Sequence, residues 1–242
     1  MKKLLIFVSI LTYSFAIISI EPKDIGKKKG ISGEIGLSLE VNSGNTNTLS
    51  SSISAKVEYD NNRSLKYALF SYEYGESNSK KNRDRAFFHL RDLKRIDNLK
   101  VWEIYLQIQK DDFKDQKLRA LIGTGPRIKF FNKDTKAYVG IGIFAIREDI
   151  KNLGKSDYFR GNFYLAFKRR FNENVKAAFT TYFQPKIDKF KDYETTSFLQ
   201  FSIKLSKKLN LLIKSRYDFD STPPLGVKKY DFSQKVGIVY SF

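Results

Sequence analysis

Long runs of strict period-two alternation constrain this chain more than any other feature. Ile31, Gly33, Ile35, Leu37, Leu39 and Val41 fall on one side of a segment whose other side carries Ser32, Glu34, Gly36, Ser38, Glu40 and Asn42. Successive side chains of a β-strand point to opposite faces, so this is a strand with one apolar and one polar face. The pattern recurs. Trp102, Ile104, Leu106 and Ile108 alternate with Glu103, Tyr105, Gln107 and Gln109, and Val175, Ala177, Phe179, Thr181 and Phe183 alternate with Lys176, Thr180, Tyr182 and Gln184. Twelve such segments are expected, at 31–42, 48–60, 64–76, 84–96, 99–111, 117–131, 136–149, 157–171, 174–186, 192–206, 209–220 and 228–242. Phe87, Phe88, His89 and Leu90 interrupt the alternation of the fourth. No helical period of useful length occurs.

Three features separate a membrane barrel from a soluble sandwich. The segments run to about 11–15 residues, whereas soluble strands cluster near 5–6 and a tilted membrane-spanning strand needs about 9–11. The polar faces are charged along their length, as Lys168 with Arg170 and Lys214 with Arg216 and Asp218. A dry sandwich core cannot hold such faces, because burying unpaired charge costs too much; a wide, wet lumen can. Aromatic residues make up 15% of the chain and gather near segment ends, as Phe130, Phe171, Tyr193, Phe219 and Tyr230, where interfacial girdles belong. A mean hydropathy of −0.42 is compatible, since only alternate residues would face lipid. The expected fold is all-β: an antiparallel up-and-down transmembrane β-barrel of about twelve strands. Phe163 is expected toward lipid and its neighbour Asn162 toward water.

The connections fit. Asn61-Asn62-Arg63, Asp97-Asn98, Asn132–Thr135, Asn172-Glu173 and Lys207-Lys208 are short and carry the Asn and Asp of tight hairpins. The others, Ser77–Arg83, Ile150–Ser156, Ile187–Lys191 and Ser221–Val227, are mostly longer. Short turns at one end and longer loops at the other mark outer-membrane barrels, and an even strand number returns both termini to one side.

The chain opens Met1-Lys2-Lys3, then runs apolar from Leu4 to Ile20 with Ser14-Phe15-Ala16 as a cleavage site. This is expected to be a secretory signal peptide over 1–16, followed by a polar connector over 17–30 and a barrel over 31–242. Beyond Ile20 no apolar run is long enough for a spanning helix, and the absence of cysteine removes disulfides and thiol–metal sites. The net charge of +18 suggests anionic partners; export argues against nucleic acid, and a plain compositional drift toward lysine is the alternative.

An ordered set of motifs accompanies the alternation: Gly33-Glu34, Ser43-Gly44-Asn45-Thr46, Gln109–Phe113, Leu121-Ile122-Gly123-Thr124-Gly125-Pro126-Arg127, Tyr217–Pro224 and the final Val239-Tyr240-Ser241-Phe242. Over residues 31–242 this set resembles the YdiY-like family of salt-induced outer-membrane proteins. The resemblance implies an outer-membrane barrel in a Gram-negative bacterium, with no assigned activity and a link to salt or envelope stress.

Functional candidates follow from the polar faces. Alternation places Lys56, Arg119, Arg127, Lys129, Arg160 and Lys168 inside, together with Arg170, Lys176, Lys204, Lys214, Arg216 and Lys235. Glu34, Glu40, Glu58, Glu103, Glu194, Asp218 and Asp231 face them. Two readings stand: a ladder of ion pairs that fills and stiffens the lumen, or a pore biased toward small anionic solutes. Tyr240 and Phe242, in register with the apolar face, resemble the terminal signal read by outer-membrane assembly machinery; the remaining partners expected are outer-membrane lipid and lipopolysaccharide. His89, the sole histidine, would be needed by a membrane-embedded lipid hydrolase, yet no serine or orienting group near it marks a catalytic set. The glycine pairs Gly123/Gly125 and Gly140/Gly142 precede no helix and so make no phosphate loop; they are read as small inward residues that leave room for larger neighbours. Asp111, Asp112, Asp115 and Asp218–Asp220 are read as solvated turn residues rather than a metal site. No cofactor is expected. The other alternative, a soluble exported ligand-binding barrel, is disfavoured because its pocket would be lined with charge.

Overall fold

The computed structural model describes residues 23–43, 48–77, 80–112, 115–132, 134–151, 153–223 and 228–242. The expected signal peptide and most of the Ser43–Thr46 motif lie outside them. Among the described residues twelve strands follow one another: β1 (Gly30–Ser43), β2 (Thr48–Asp60), β3 (Ser64–Ser77), β4 (Lys80–Arg95), β5 (Lys100–Asp111), β6 (Gln116–Asn132), β7 (Thr135–Ile150), β8 (Gly154–Arg170), β9 (Val175–Pro185), β10 (Tyr193–Lys204), β11 (Leu209–Asp220) and β12 (Tyr230–Ser241). Each pairs antiparallel with its sequence neighbours, and β1 pairs with β12 to close the barrel. Closure removes both open edges and so satisfies the ladder all round.

The pleat sorts side chains as the alternation requires. On β5, Ile104 is 42% exposed on the outside, while its neighbour Glu103 is 3% exposed inside. The outer wall carries Ile35, Ile53, Phe70, Ile122, Ile141, Phe163, Leu199 and Ile238, all exposed, so apolar surface runs right round the barrel. A soluble monomer rarely shows an apolar patch beyond about 600 Å². Lipid is the solvent that such a belt requires.

At the seam, Phe242 and Gly33 exchange backbone hydrogen bonds of 3.0 and 3.1 Å. The Phe242 ring lies flat over Gly33, where a Cβ would sit only 2.3 Å from it. At the short-turn end, side-chain oxygens cap the hairpins: Asn61 accepts from Ser64 N at 2.7 Å, Asp97 from Leu99 N at 2.7 Å and Asn172 from Val175 N at 2.8 Å.

Several expectations need correction. The loops foreseen at 77–83 and 150–156 are mostly strand, since pairing continues to Ser77↔Lys80 and Ile150↔Gly154. Neither segment carries the alternation; in the second, Lys155, Ser156 and Asp157 are exposed on both faces, and the exposed Arg147–Asp157 pair, at 2.8 Å, braces it. The interruption at Phe87–Leu90 is no break in the strand. Phe87 points inward and stacks on His89 with a 5° interplanar angle, while Phe88 pairs with the outward Phe70. On β6 a bulge between Lys129 and Phe131 leaves both Phe130 and Phe131 exposed. Asn162 does not point into water: it is buried, donates to the Tyr105 hydroxyl at 2.9 Å and accepts from Gln184 at 3.1 Å.

Phe163→Arg is therefore expected to destabilise the barrel by about 2–4 kcal/mol, the cost of arginine on a lipid face at mid-depth. Asn210→Arg, on the inward face beside the open turn-end mouth, should leave stability within about 0.5 kcal/mol. Unfolding midpoints in detergent micelles, read from the heat-dependent gel shift, decide it. Equal tolerance of the two would contradict the lipid-facing assignment.

Candidate functional site

The inward faces do not enclose a wide, wet channel. Tyr105, Leu121, Phe144 and Ile146 form a buried apolar cluster inside the β5–β7 wall, with Tyr158 packed against it. Glycine makes the space: a Cβ at Gly123 would meet the Tyr105 ring at 2.4 Å, and one at Gly140 would meet the Tyr164 ring at 1.9 Å. These are the small inward residues foreseen. Their partners are large aromatics that fill the lumen rather than leave it open.

Across mid-depth runs a girdle centred on Glu103. Its carboxylate lies 3.1 Å from Arg127 and 3.5 Å from Arg91, and it accepts the Tyr164 hydroxyl at 2.9 Å from the opposite side of β6 and β7. Arg91 also lies over the Tyr105 ring and Arg127 over the Tyr138 ring, each at 5.1 Å. Charges buried this deeply are tolerable because two guanidinium groups lie in contact with the carboxylate and the Tyr164 hydroxyl hydrogen-bonds it.

The foreseen basic residues divide into two groups. Eight belong to internal networks. Lys56 pairs with Glu58 at 2.6 Å, Arg127 with Glu103, and Lys129 with Asp24 at 3.0 Å. Arg119 holds Glu194 at 2.8 Å, and Arg160 holds Asp192 at 2.8 Å and Glu194 at 3.2 Å. Lys235 pairs with Glu73, which also meets Arg85 at 3.5 Å. Lys214 and Arg216 lie over the Phe198 ring at 4.6 and 5.3 Å, and Arg216 pairs with Asp218 at 2.7 Å. The other four, Lys168, Arg170, Lys176 and Lys204, line the mouth at the short-turn end. There, on β8–β10 and the following turns, they and Lys207 stand with a single acid, Glu173.

A cavity of about 630 Å³ opens at this mouth. Its floor is a strap formed by the described part of the connector, 23–29. Ile25 is buried against Leu65 and Leu93. Arg95 donates to the Ile25 carbonyl and Arg127 to the Lys23 carbonyl, at 2.7 and 2.8 Å. The Asp60 carboxylate accepts Gly26 N at 2.7 Å, and Lys23 Nζ reaches Glu58 at 2.6 Å. Asp24 is held by Lys129, Lys136 and the Tyr138 hydroxyl. Burial pushes its carboxyl up, but the hydrogen bonds from Lys136 and Lys129 outweigh this and hold it well below the usual carboxylate range. A depressed carboxylate contributes stability above its unfolded value of 3.8 that is lost as pH falls through the folded one. The strap is thus anchored at every pH above about 4. Nothing in the sequence marks it, because a strap has no period and its partners lie more than thirty residues away.

His89 has both ring nitrogens engaged: Arg91 Nε donates to Nε2 at 3.2 Å, and Nδ1 faces Gln107 at 3.3 Å. Among the described residues its partners are thus Arg91 and Gln107, not a serine. From it a chain of side chains runs along the inner wall. Gln107 donates to Gln109 at 2.9 Å, Gln109 to Gln116 at 2.9 Å and Gln116 to Glu148 at 2.6 Å. Asp111, expected above as a solvated turn residue, is an inward strand residue bound by Arg85; Asp218, placed above both on the inner face and at a turn, lies on the inner face bound by Arg216. Their carboxylates are taken by guanidinium groups because the lumen face of the barrel continues past the belt.

An apolar-belted, closed antiparallel barrel with a charged lumen defines the protein as a porin- or channel-like barrel of the outer-membrane type. The chain belongs to the family described as protein of unknown function, DUF481, whose model matches residues 34–242. The fold is similar to the NanC porin (TM-score 0.60, 10% identity, covering 87% of this chain and 99% of that one). It is also similar to an outer membrane channel from Pseudomonas putida F1 (0.57, 9%, 93% and 100%) and to the KdgM porin (0.56, 9%, 87% and 99%). No curated protein matches the chain at a significant level.

Glu103 should be the most sensitive charge in the molecule. Removing one partner of a buried ion pair costs about 3–5 kcal/mol, whereas an exposed pair contributes about 1 kcal/mol or less. Glu103→Ala is expected to lower the unfolding midpoint far more than Asp157→Ala, whose Arg147 pair is exposed. Comparable shifts would mean that the girdle is hydrated and the lumen open at mid-depth.

Proposed function

We propose that the protein is a non-enzymatic barrel of the Gram-negative outer membrane and that its lumen is a narrow passage biased toward small anions. The observation that carries this reading is the basic mouth: nine cations against six acids around it, with Lys168, Arg170, Lys176, Lys204 and Lys207 gathered on β8–β10 and the adjoining turns. A cleft with an excess of one sign and low-dielectric walls concentrates counter-ions of the opposite sign. Behind it, the guanidinium groups of the buried pairs offer alternative partners to an anion in transit. The likeness to porins and channels supports the reading at the level of fold. The resemblance to salt-induced barrels accords with a lumen whose ion pairs are buried, since salt screens buried pairs much less than exposed ones.

A second reading, a structural barrel that conducts nothing, is favoured by the Glu103 girdle, which buries charge across the lumen. Planar-bilayer recording on refolded protein separates the two. Small, anion-selective conductance is expected, and Lys168→Glu with Arg170→Glu should move the reversal potential toward cations. These positions serve better than Arg160, whose removal would release Asp192 and Glu194. Cation selectivity or a silent membrane would reject the anion passage and leave the structural barrel.

The partners of this reading are membrane lipid and lipopolysaccharide around the belt, small anionic solutes inside, and the assembly machinery at the seam. Nucleic acid has no place in it. Tyr240 and Phe242 both face outward on the closing strand, and Phe242 covers Gly33. Phe242→Asp is expected to leave export intact and block insertion, with loss of the heat-dependent gel shift in envelope fractions. Normal insertion would remove the assembly role from this residue.

A further inference from the structure

Three donors from two adjacent strands converge on one carboxylate. Lys129 Nζ and the Tyr138 hydroxyl each lie 3.0 Å from Asp24 Oδ1, and Lys136 Nζ bonds Oδ2. The donors stand on the paired strands β6 and β7, whereas their acceptor precedes β1 and belongs to no strand. A fixed cradle with two ammonium groups and a phenol, filled by a carboxylate on a separate strap, has the make-up of a ligand site holding a built-in ligand. We propose that Lys129, Lys136 and Tyr138 form a subsite for small carboxylate anions, and that Asp24 is its resident competitor.

The surroundings support this. The site opens on the 630 Å³ cavity, whose lining includes Asp24, Lys136, Lys168 and Arg170. Lys168 lies directly across from Lys136 in the β7–β8 ladder, so an anion that has entered the basic mouth meets this cradle next. Two lysines face the one Asp24 carboxylate. Of the other acids around the cavity, Glu34 and Glu58 contact Lys23 and Asp60 accepts Gly26 N, while Asp134 stands in the turn before Lys136. The hydroxyl and both ammonium groups are donors, which suits a carboxylate oxygen pair and repels a cation. Arg127, stacked on the Tyr138 ring, holds the phenol in place and also binds the strap at the Lys23 carbonyl. Solute carboxylate and strap therefore exclude one another at the same atoms. A chain with its strap withdrawn exposes the site; a chain with it seated masks the site by the fraction of time Asp24 occupies it.

This subsite rests on the anion-passage reading for its place on a solute path, but its binding is measured without any conductance. The probe is acetate labelled with carbon-13 at its carboxyl, added to refolded protein in zwitterionic micelles at fixed ionic strength and pH 7, with line broadening followed to saturation. Asp24→Ala, which changes a residue outside the strands, is expected to bind acetate at least about tenfold more tightly than the unaltered chain, because its competitor is gone. A second variant beginning at Lys27, which lacks residues 23–26 of the strap, should bind in the same way; this covers the case in which Asp24→Ala disturbs the strap without vacating the cradle. Adding Lys129→Met and Lys136→Met to Asp24→Ala should abolish the saturable broadening. Equal acetate binding by the unaltered chain and both strap variants would overturn the proposal, as would saturable binding that survives loss of both lysines. A silent bilayer together with acetate binding in Asp24→Ala would reject the passage while keeping the subsite.

Discussion

A bilayer core offers no hydrogen-bond partner, so every backbone N–H and C=O within it must find one in the protein. The β1–β12 pairing is where this chain meets that demand, and the rest of the architecture depends on it. Ten register pairs from Glu34↔Ser241 to Ser43↔Phe232 join the two ends of the chain, and the Gly33–Phe242 exchange extends the ladder to the end. Closure fixes the pleat, the pleat fixes which residues meet lipid, and the remaining half of the side chains must then share one narrow interior. Gly33 shows the coupling at a single position. Its missing side chain lets the Phe242 ring lie across the seam, so the weakest strand residue and a terminal aromatic protect the last backbone pairs from lipid together.

The shared interior sets the second constraint. Charges that serve well on the rim of a wide pore become expensive when the lumen narrows, because each must be desolvated. This barrel answers by packing carboxylates, guanidinium groups and phenols into connected sets: Glu103 with Arg91, Arg127 and Tyr164; Glu194 with Arg119 and Arg160; Glu73 with Arg85 and Lys235. Apolar side chains take part too, as Phe144 and Ile146 do beside Tyr105. A lumen stabilised in this way stiffens the wall and narrows the passage by the same contacts.

The strand pattern was legible because it follows from local geometry: a period of two, Asn or Asp at the tight turns, and charge opposite aliphatic residues. Twelve strands and their pairing order come from that pattern alone. It failed where the environment changes along a strand. Lys155, Ser156 and Asp157 are exposed on both faces, so nothing alternates there. Phe87 faces inward, yet its apolar ring suggests the opposite. The doubled Phe130-Phe131 needs a bulge, which one inserted residue creates without any change in composition. The basic residues could be placed on the inner face from sequence, but their division into eight networked and four mouth-lining groups could not. Partners such as Arg119 and Glu194 meet across strands that are not neighbours, and that distance is set by curvature, not by spacing in the chain.

The strap is the clearest case of function hidden from local pattern. Lys23, Asp24 and Ile25 read as part of a lysine-rich connector, and in isolation each is unremarkable. In the closed barrel they become complementary to a turn-end mouth that already exists: Ile25 to an apolar niche, Asp24 to a triad of donors, Lys23 to two carboxylates. The strap brings the Asp24 carboxylate to Lys129 and Lys136 and two backbone carbonyls to Arg95 and Arg127, while its own Lys23, Lys27 and Lys28 stand around the same cavity as Lys168, Arg170 and Lys176. In the proposed passage an anion from the turn end would meet Lys168 and then Lys136, across the ladder from it, whose partner is Asp24. Access to that cradle depends on where a short segment outside the strands comes to rest.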